Sequence, residues 1–164
     1  MNFSTLFRTK ENLNLDKKTL TILRYIAIFG QLLAINIVYF YLKLPFPLML
    51  SYITISIGLL TNLYLQYGIK INQLKDFYAA PFLLYDLIQL SILLYLTGGI
   101  FNPFSFLLVI PAIVSSTFLS MGTTIILGLI TSLLLLIISF FYLPLPGEDM
   151  NLLHFPNFYK VGII

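Results

Sequence analysis

The sequence predicts an all-α fold, a polytopic membrane helix bundle with five full transmembrane helices plus the start of a sixth. Three observations lead there. Hydrophobic residues make up 59% of the 164 and charged residues 9%, with a mean hydropathy of +0.97. A soluble domain carries roughly a quarter charged residues. Apolar runs of about 20 residues, the length that crosses a bilayer as a helix, recur between short polar or Gly/Pro breaks. From Phe77 to Gly147, a stretch of 71 residues, the only formal charge is Asp86.

The first 18 residues read as a polar, mixed-charge cytoplasmic tail, without the shape of a signal peptide. The first span is expected near Thr19–Leu42, between Lys18 and Lys43. Leu44-Pro45-Phe46-Pro47 makes a tight turn into a second span near Leu48–Tyr67. Residues 68–76 form a polar loop carrying Lys70, Lys75 and Asp76. The third span, Phe77–Leu96, ends at Gly98-Gly99. A fourth is expected from Phe104 to about Leu119, kinked at Pro111. Ser120-Met121-Gly122 turns into the fifth, Thr123–Leu143. A polar loop, Pro144–Asn157, precedes an apolar stretch, Phe158–Ile164, too short to span. Residues 19–164 are therefore expected to be one transmembrane input domain, truncated as its sixth helix begins.

Charge placement sets the expected orientation. Arg8, Lys10, Lys17, Lys18 and Arg24 precede or open the first span, and Lys70 and Lys75 follow the second. With the N-terminus cytoplasmic, only Lys43 and Lys160 lie on the other side, a positive-inside bias. Beside a membrane span this basic cluster marks a cytoplasmic flank, and no nucleic-acid partner is expected. Tyr39, Tyr41, Tyr95 and Tyr142 then fall near the outer boundary, with Tyr64 and Tyr67 near the inner one. The chain has no cysteine, so disulfides, thiolate metal sites and thiol redox switching within these residues are excluded. Paired carboxylates and His/Asp/Glu metal sets are also missing from the apolar core, which argues against a catalytic residue set and against a metal.

Asp86 lies near mid-bilayer, where an aspartate costs about 3 kcal/mol to insert. The surrounding Leu, Ile and Phe residues outweigh that cost, and Asp86 should face the bundle rather than lipid. Desolvation there favours a neutral, hydrogen-bond-donating carboxyl with a role beside the site; the alternative reading is a purely structural interhelical bond, to Gln31, Asn36 or Asn62 on neighbouring spans. Gln89 is one helical turn further on, and Thr97 falls nearly at the same angle, so the three form a polar stripe leading to the Gly98 turn.

That turn, Gly98 to Phe104, has two readings. Gly98 and Gly99 suit a helix C-terminus that needs positive φ. Asn102-Pro103 suits an N-cap followed by an N1 proline. Capping does not account for Phe101 and Phe104 flanking the asparagine. Two rings, an amide and free backbone N–H groups make a seat for a flat lipophilic ring bearing carbonyl oxygens.

Leu93-Leu94-Tyr95-Leu96-Thr97-Gly98-Gly99-Ile100-Phe101-Asn102-Pro103-Phe104 resembles the quinone-sensing Gly-Gly-x-x-Asn-Pro-Phe motif of the RegB/PrrB family, bacterial redox-responsive sensor histidine kinases. In that family the heptapeptide lies between the third and fourth transmembrane helices. Tyr85-Asp86-Leu87-Ile88-Gln89-Leu90 and Leu23-Arg24-Tyr25-Ile26-Ala27-Ile28-Phe29-Gly30-Gln31 are also similar to the family's third and first helices. The likeness runs from about Leu20 to Ile164.

The resemblance implies the membrane-embedded signal-input module of a two-component sensor kinase in the bacterial inner membrane. Its sensed ligand would be a ubiquinone-type quinone, bound at Gly98, Gly99, Phe101, Asn102, Pro103 and Phe104, with Asp86, Gln89 and Thr97 supporting. The full-length protein would be a homodimer acting on a response regulator through a kinase core. The linker cysteine, phospho-accepting histidine and ATP-binding boxes of that core are not among these residues, and His154 falls in the outer loop. Oxidised quinone only accepts hydrogen bonds whereas quinol also donates them, so a donor-rich site would prefer the oxidised form. Only such a difference in affinity shifts a two-state bundle, a tenfold preference corresponding to about 1.4 kcal/mol. The alternative reading is the membrane-embedded binding subunit of a vitamin uptake system, also a compact bundle with few charges.

Overall fold

The computed structural model describes residues 15–41 and 43–144. Most of the expected 18-residue tail, Glu148-Asp149, His154, Lys160 and the expected sixth-helix start lie outside the described residues.

Helix α1, Lys17–Asn36, is capped by the Asp16 carboxylate, which accepts from the Thr19 N–H, and continues through a π-helical turn, Ile37–Tyr41. Helix α2, Leu48–Leu63, likewise ends in a π-helical turn, Tyr64–Gly68. Lys17 Nζ donates to the Gln66 and Ile69 carbonyls at 3.2 and 2.8 Å, so a cation closes the C-terminal end of α2. One feature departs from the all-α expectation. Leu15–Asp16 (β1) and Gln73–Leu74 (β2) pair antiparallel as a short ribbon, and Lys17 N–H donates to the Asn72 carbonyl. This ribbon ties the start of α1 to the loop between α2 and α3.

Helix α3, Asp76–Leu96, is the centre of the bundle. Its buried residues cover a broad arc, among them Ala79, Leu83, Leu87, Gln89, Leu90, Leu93 and Leu94, and leave Ile88, Ile92 and Tyr95 on an exposed face. α2 packs between α1 and α3, and the segments that follow α3 pack back against it, while α1 reaches α3 through the side chains of Leu20, Arg24 and Gln31. The largest core cluster joins Leu83, Leu87, Leu90 and Leu94 of α3 to Leu20, Leu65, Leu108, Leu127 and Ile138. Outward faces are apolar too: Ile26, Phe29, Leu60, Leu129 and Leu133 are exposed. Contiguous apolar surface on that scale suits hydrocarbon, not water.

After α3, Gly98 and Gly99 adopt φ of 99° and 62°, and residues Gly99–Phe101 make a single 3-10 turn. A seven-residue 3-10 helix, Pro103–Val109, passes into α4, Ile110–Phe118. The change of helix type falls at Pro111. Proline has no N–H to give and is best placed in a first α-turn, so the α-helix begins there and the expected kink becomes a change of pitch. Helix α5, Met121–Phe140, is capped by Ser120.

Among the described residues four helices are long and apolar enough to cross a membrane: Lys17–Tyr41, Leu48–Gly68, Asp76–Leu96 and Met121–Phe140. The fourth expected span, Pro103–Phe118, falls below that length. Its course nevertheless covers the height of the bundle. At one end Asn102 bonds Thr97, at the C-terminus of α3, and at the other the Asp76 carboxylate accepts from the Ser120 N–H at 3.0 Å and the Thr123 hydroxyl at 2.8 Å. A 3-10 helix rises about 2.0 Å per residue against 1.5 Å for an α-helix. Seven residues of one and nine of the other therefore reach about 27 Å.

Candidate functional site

The elbow between α3 and the 3-10 segment is tied together by short-range hydrogen bonds of Thr97 and Asn102. Asn102 Oδ1 accepts from the Phe104 N–H at 2.9 Å, the N-cap geometry expected of Asn-Pro. Asn102 Nδ2 donates to the Thr97 hydroxyl at 2.7 Å and the Thr97 carbonyl at 3.1 Å. The Thr97 hydroxyl in turn donates to the Leu93 carbonyl. Gly99 is needed twice over, for its positive φ and because a Cβ there would meet the Tyr142 side chain. Phe101 packs edge-on against Tyr142, with ring centroids 5.6 Å apart. Phe104 is exposed and lines a cavity. Phe101 and Phe104 therefore do not border one cavity, in contrast to the expected two-ring seat.

The second polar cluster lies deeper and joins three helices. Arg24 of α1, 4% exposed, forms an ion pair with Asp86 of α3, Nη2 to Oδ1 at 2.8 Å and Nε to the same carboxylate at 2.9 and 3.1 Å. Arg24 Nη2 also donates to the Thr61 hydroxyl of α2 at 2.8 Å. The rings of Phe82 and Tyr85 flank the guanidinium at 5.3 and 5.7 Å, in the range of cation–π attraction. The buried Arg24 Nη1 has no hydrogen-bond partner among the described residues.

One turn beyond Asp86, Gln89 Nε2 donates to Gln31 Oε1 of α1 at 3.0 Å. Gly58 of α2 makes room for this, since any Cβ there would collide with the Gln89 amide. Each helix of the trio thus contributes: α1 the arginine and one amide, α3 the carboxylate and the other amide, α2 a hydroxyl and a missing side chain.

A cavity of about 430 Å³ runs between these two clusters, within the range of ordinary ligand sites. Its walls are α1, α3 and the Asn102–Val114 stretch. Of the residues expected at the site, Asp86, Gln89, Thr97, Asn102 and Phe104 line it. Gly98, Gly99, Phe101 and Pro103 do not; they shape the bend above it. Arg24 and Gln31 line it as well.

A comparison with curated proteins shows what this chain is similar to. The chain is 38% identical over 146 residues to a protein described as sensor histidine kinase RegB from Cereibacter sphaeroides. The resemblance to the N-terminal region of the RegB/PrrB family stands. The matched stretch is 88% of this chain but 32% of RegB, so the chain spans about a third of the length of that curated relative. No family model matches the chain, and no solved structure matches it. A multi-pass inner-membrane protein carrying a sensor-kinase membrane region is supported, and the vitamin-carrier alternative is not favoured.

Two readings of individual residues change. Arg24 belongs to the interior, not to the cytoplasmic flank, and gives Asp86 a cationic partner in place of an amide. The expected amide partners bond elsewhere: Gln31 to Gln89, Asn36 to the Tyr52 hydroxyl, Asn62 to the Thr21 carbonyl. The signal for the ion pair was present in the sequence. Arg24 stands within an apolar run on the first span, and Asp86 is the matching charge on the third. Gly58 and Thr61 carried no such signal, being ordinary residues of an apolar helix until Gln89 and Arg24 are placed against them.

Proposed function

We propose that this chain is the membrane-embedded signal-input region of a redox-responsive sensor histidine kinase, and that the sensed ligand is a ubiquinone-type quinone held in the cavity beneath the elbow. The observation that carries the reading is that the residues expected at the site from two different stretches, Asp86/Gln89 and Asn102/Phe104, border one cavity. A quinone ring would lie against Phe104, with its carbonyls toward the polar wall.

In this reading the N-terminus is cytoplasmic. With Arg24 inside the bundle, Arg8, Lys10, Lys17, Lys18, Lys70 and Lys75 remain on that side against Lys43 and Lys160, so the positive-inside bias survives. The Pro103–Phe118 segment is a fifth crossing, its stretched 3-10 half making up for its short length. Binding tilts the equilibrium between two arrangements of the bundle by the difference in ligand affinity and by nothing else. That shift passes to a kinase core, and from there to a response regulator, in a homodimer of the full-length protein.

The test is a chimera in which this chain replaces the matching region of the Cereibacter sphaeroides kinase, reconstituted in liposomes. Autophosphorylation should differ about tenfold between oxidised and reduced ubiquinone-1, the response that about 1.4 kcal/mol of differential binding allows. Equal rates in the two redox states, with kinase activity intact, would remove quinone sensing from this chain.

A further inference from the structure

We infer, on the footing of the quinone reading above, that the ligand's ring packs along a ridge of three apolar side chains, Phe104, Leu107 and Ile110, and that Pro111 is the positioning residue that keeps this ridge straight. Leu107, Ile110 and Pro111 lie beyond the Gly98–Phe104 turn, and all three border the cavity.

The ridge follows from the helix type. In a 3-10 helix, side chains three residues apart eclipse one another. Pro103–Val109 and the residue after it therefore sort into three columns. One column faces the bundle: Leu108 is fully buried in the main core cluster, with Ser105 half-buried one turn before it. A second faces outward: Pro103, Phe106 and Val109 are exposed, and none of them borders the cavity. Phe104, Leu107 and Ile110 make the third, and every one of them borders it. At about 2.0 Å of rise per residue this column is about 12 Å long. Asp86 and Gln89 line the same cavity from α3. An apolar ridge on one wall and polar groups on another suit a ring with apolar faces and a polar edge.

Pro111 accounts for the pitch. Inside a continuous α-helix its ring would clash with the Leu107 carbonyl, and it has no N–H to give that carbonyl. The 3-10 turn resolves this, because the Ile110 N–H donates to Leu107 instead. At the start of the run the Ser105 N–H likewise donates three residues back, to the Asn102 carbonyl at 2.9 Å. Runs of 3-10 helix beyond three or four residues are uncommon, and this one lasts seven. An α pitch would turn each three-residue step about 60° short of a full circle, leaving Ile110 about 120° round from Phe104. The ridge would then be dispersed and the cavity would lose a wall.

The experiment uses the chain in phosphatidylcholine vesicles, titrated with ubiquinone-1, with backbone pairing read by magic-angle-spinning NMR. Leu107→Ala, and Ile110→Ala at a more exposed position, should each weaken binding about tenfold. Phe106→Ala, on the outward column, should leave binding unchanged. Pro111→Ala should move the Ile110 N–H from the Leu107 carbonyl to that of Phe106, the α pairing, and weaken binding by a similar factor. Binding that survives both Leu107→Ala and Ile110→Ala would overturn the inference and leave the quinone reading standing. So would a Pro111→Ala chain that keeps the Leu107 pairing, or one that takes the α pairing and binds as tightly as the unaltered chain. Absence of saturable binding by the unaltered chain would overturn both.

Discussion

The elbow and the polar layer below it contain the same kinds of group and use them oppositely. At the elbow an asparagine, a threonine and a backbone N–H bond one another within eight residues of sequence, from Thr97 through Asn102 to Phe104. In the layer below, Arg24, Thr61 and Asp86, then Gln31, Gly58 and Gln89, meet from three helices far apart in the chain. A locally closed motif fixes the shape of a bend. A cluster assembled from three helices is sensitive to how those helices sit, which is what the proposed signal-input role requires. The motif that is most conspicuous in sequence thus shapes a bend, and the proposed ligand cavity lies beneath it.

The comparison can be broken most severely at the ion pair. Asp86→Leu leaves the Arg24 guanidinium buried and unpaired, a loss of about 3–5 kcal/mol. The measurement is unfolding in mixed detergent micelles, followed by circular dichroism. Adding Arg24→Leu should recover most of the loss, since two apolar side chains replace a pair that was costly to bury. If the single variant is as stable as the unaltered chain, the pair does not tie α1 to α3. Asp86→Asn should also destabilise, because an amide does not neutralise the guanidinium.

A smaller effect sharpens the other half. Asn102→Ala removes an N-cap and should cost about 1 kcal/mol in the same assay, with the Arg24–Asp86 pair undisturbed. A loss as large as that of Asp86→Leu would mean that the elbow, too, holds distant helices together.

Much of this architecture was legible in the sequence because the bilayer imposes lengths. The bounds of α1, α2 and α3 follow from apolar runs, from Lys17-Lys18 and Lys75-Asp76, and from the Gly98-Gly99 stop. The Asn102 cap and the facing of Asp86, Gln89 and Thr97 followed from local rules, one of capping and one of helical angle. What failed was anything that depended on a second helix. Amides stand out as partners of Asp86 only while Arg24 is grouped with Lys17 and Lys18 at the start of α1; the ion pair emerges once α1 and α3 are side by side. Phe101 and Phe104 are three residues apart, which places side chains together on an α-helix. Here Asn102 is extended, with ψ of 123°, so the chain turns between the two rings. The 3-10 course of Pro103–Val109 was also out of reach, since its apolar composition suits either helix type.

The central claim is that the ligand cavity lies between α1 and the Pro103–Phe118 segment, under the elbow. Photolabelling the chain in vesicles with an azido-benzoquinone, followed by peptide mapping, tests it most directly. The label should appear on α1 between Leu23 and Ala34 and on Leu107 to Pro111 opposite. Label confined to Phe101 and Tyr142, on the far side of the bend, would contradict it.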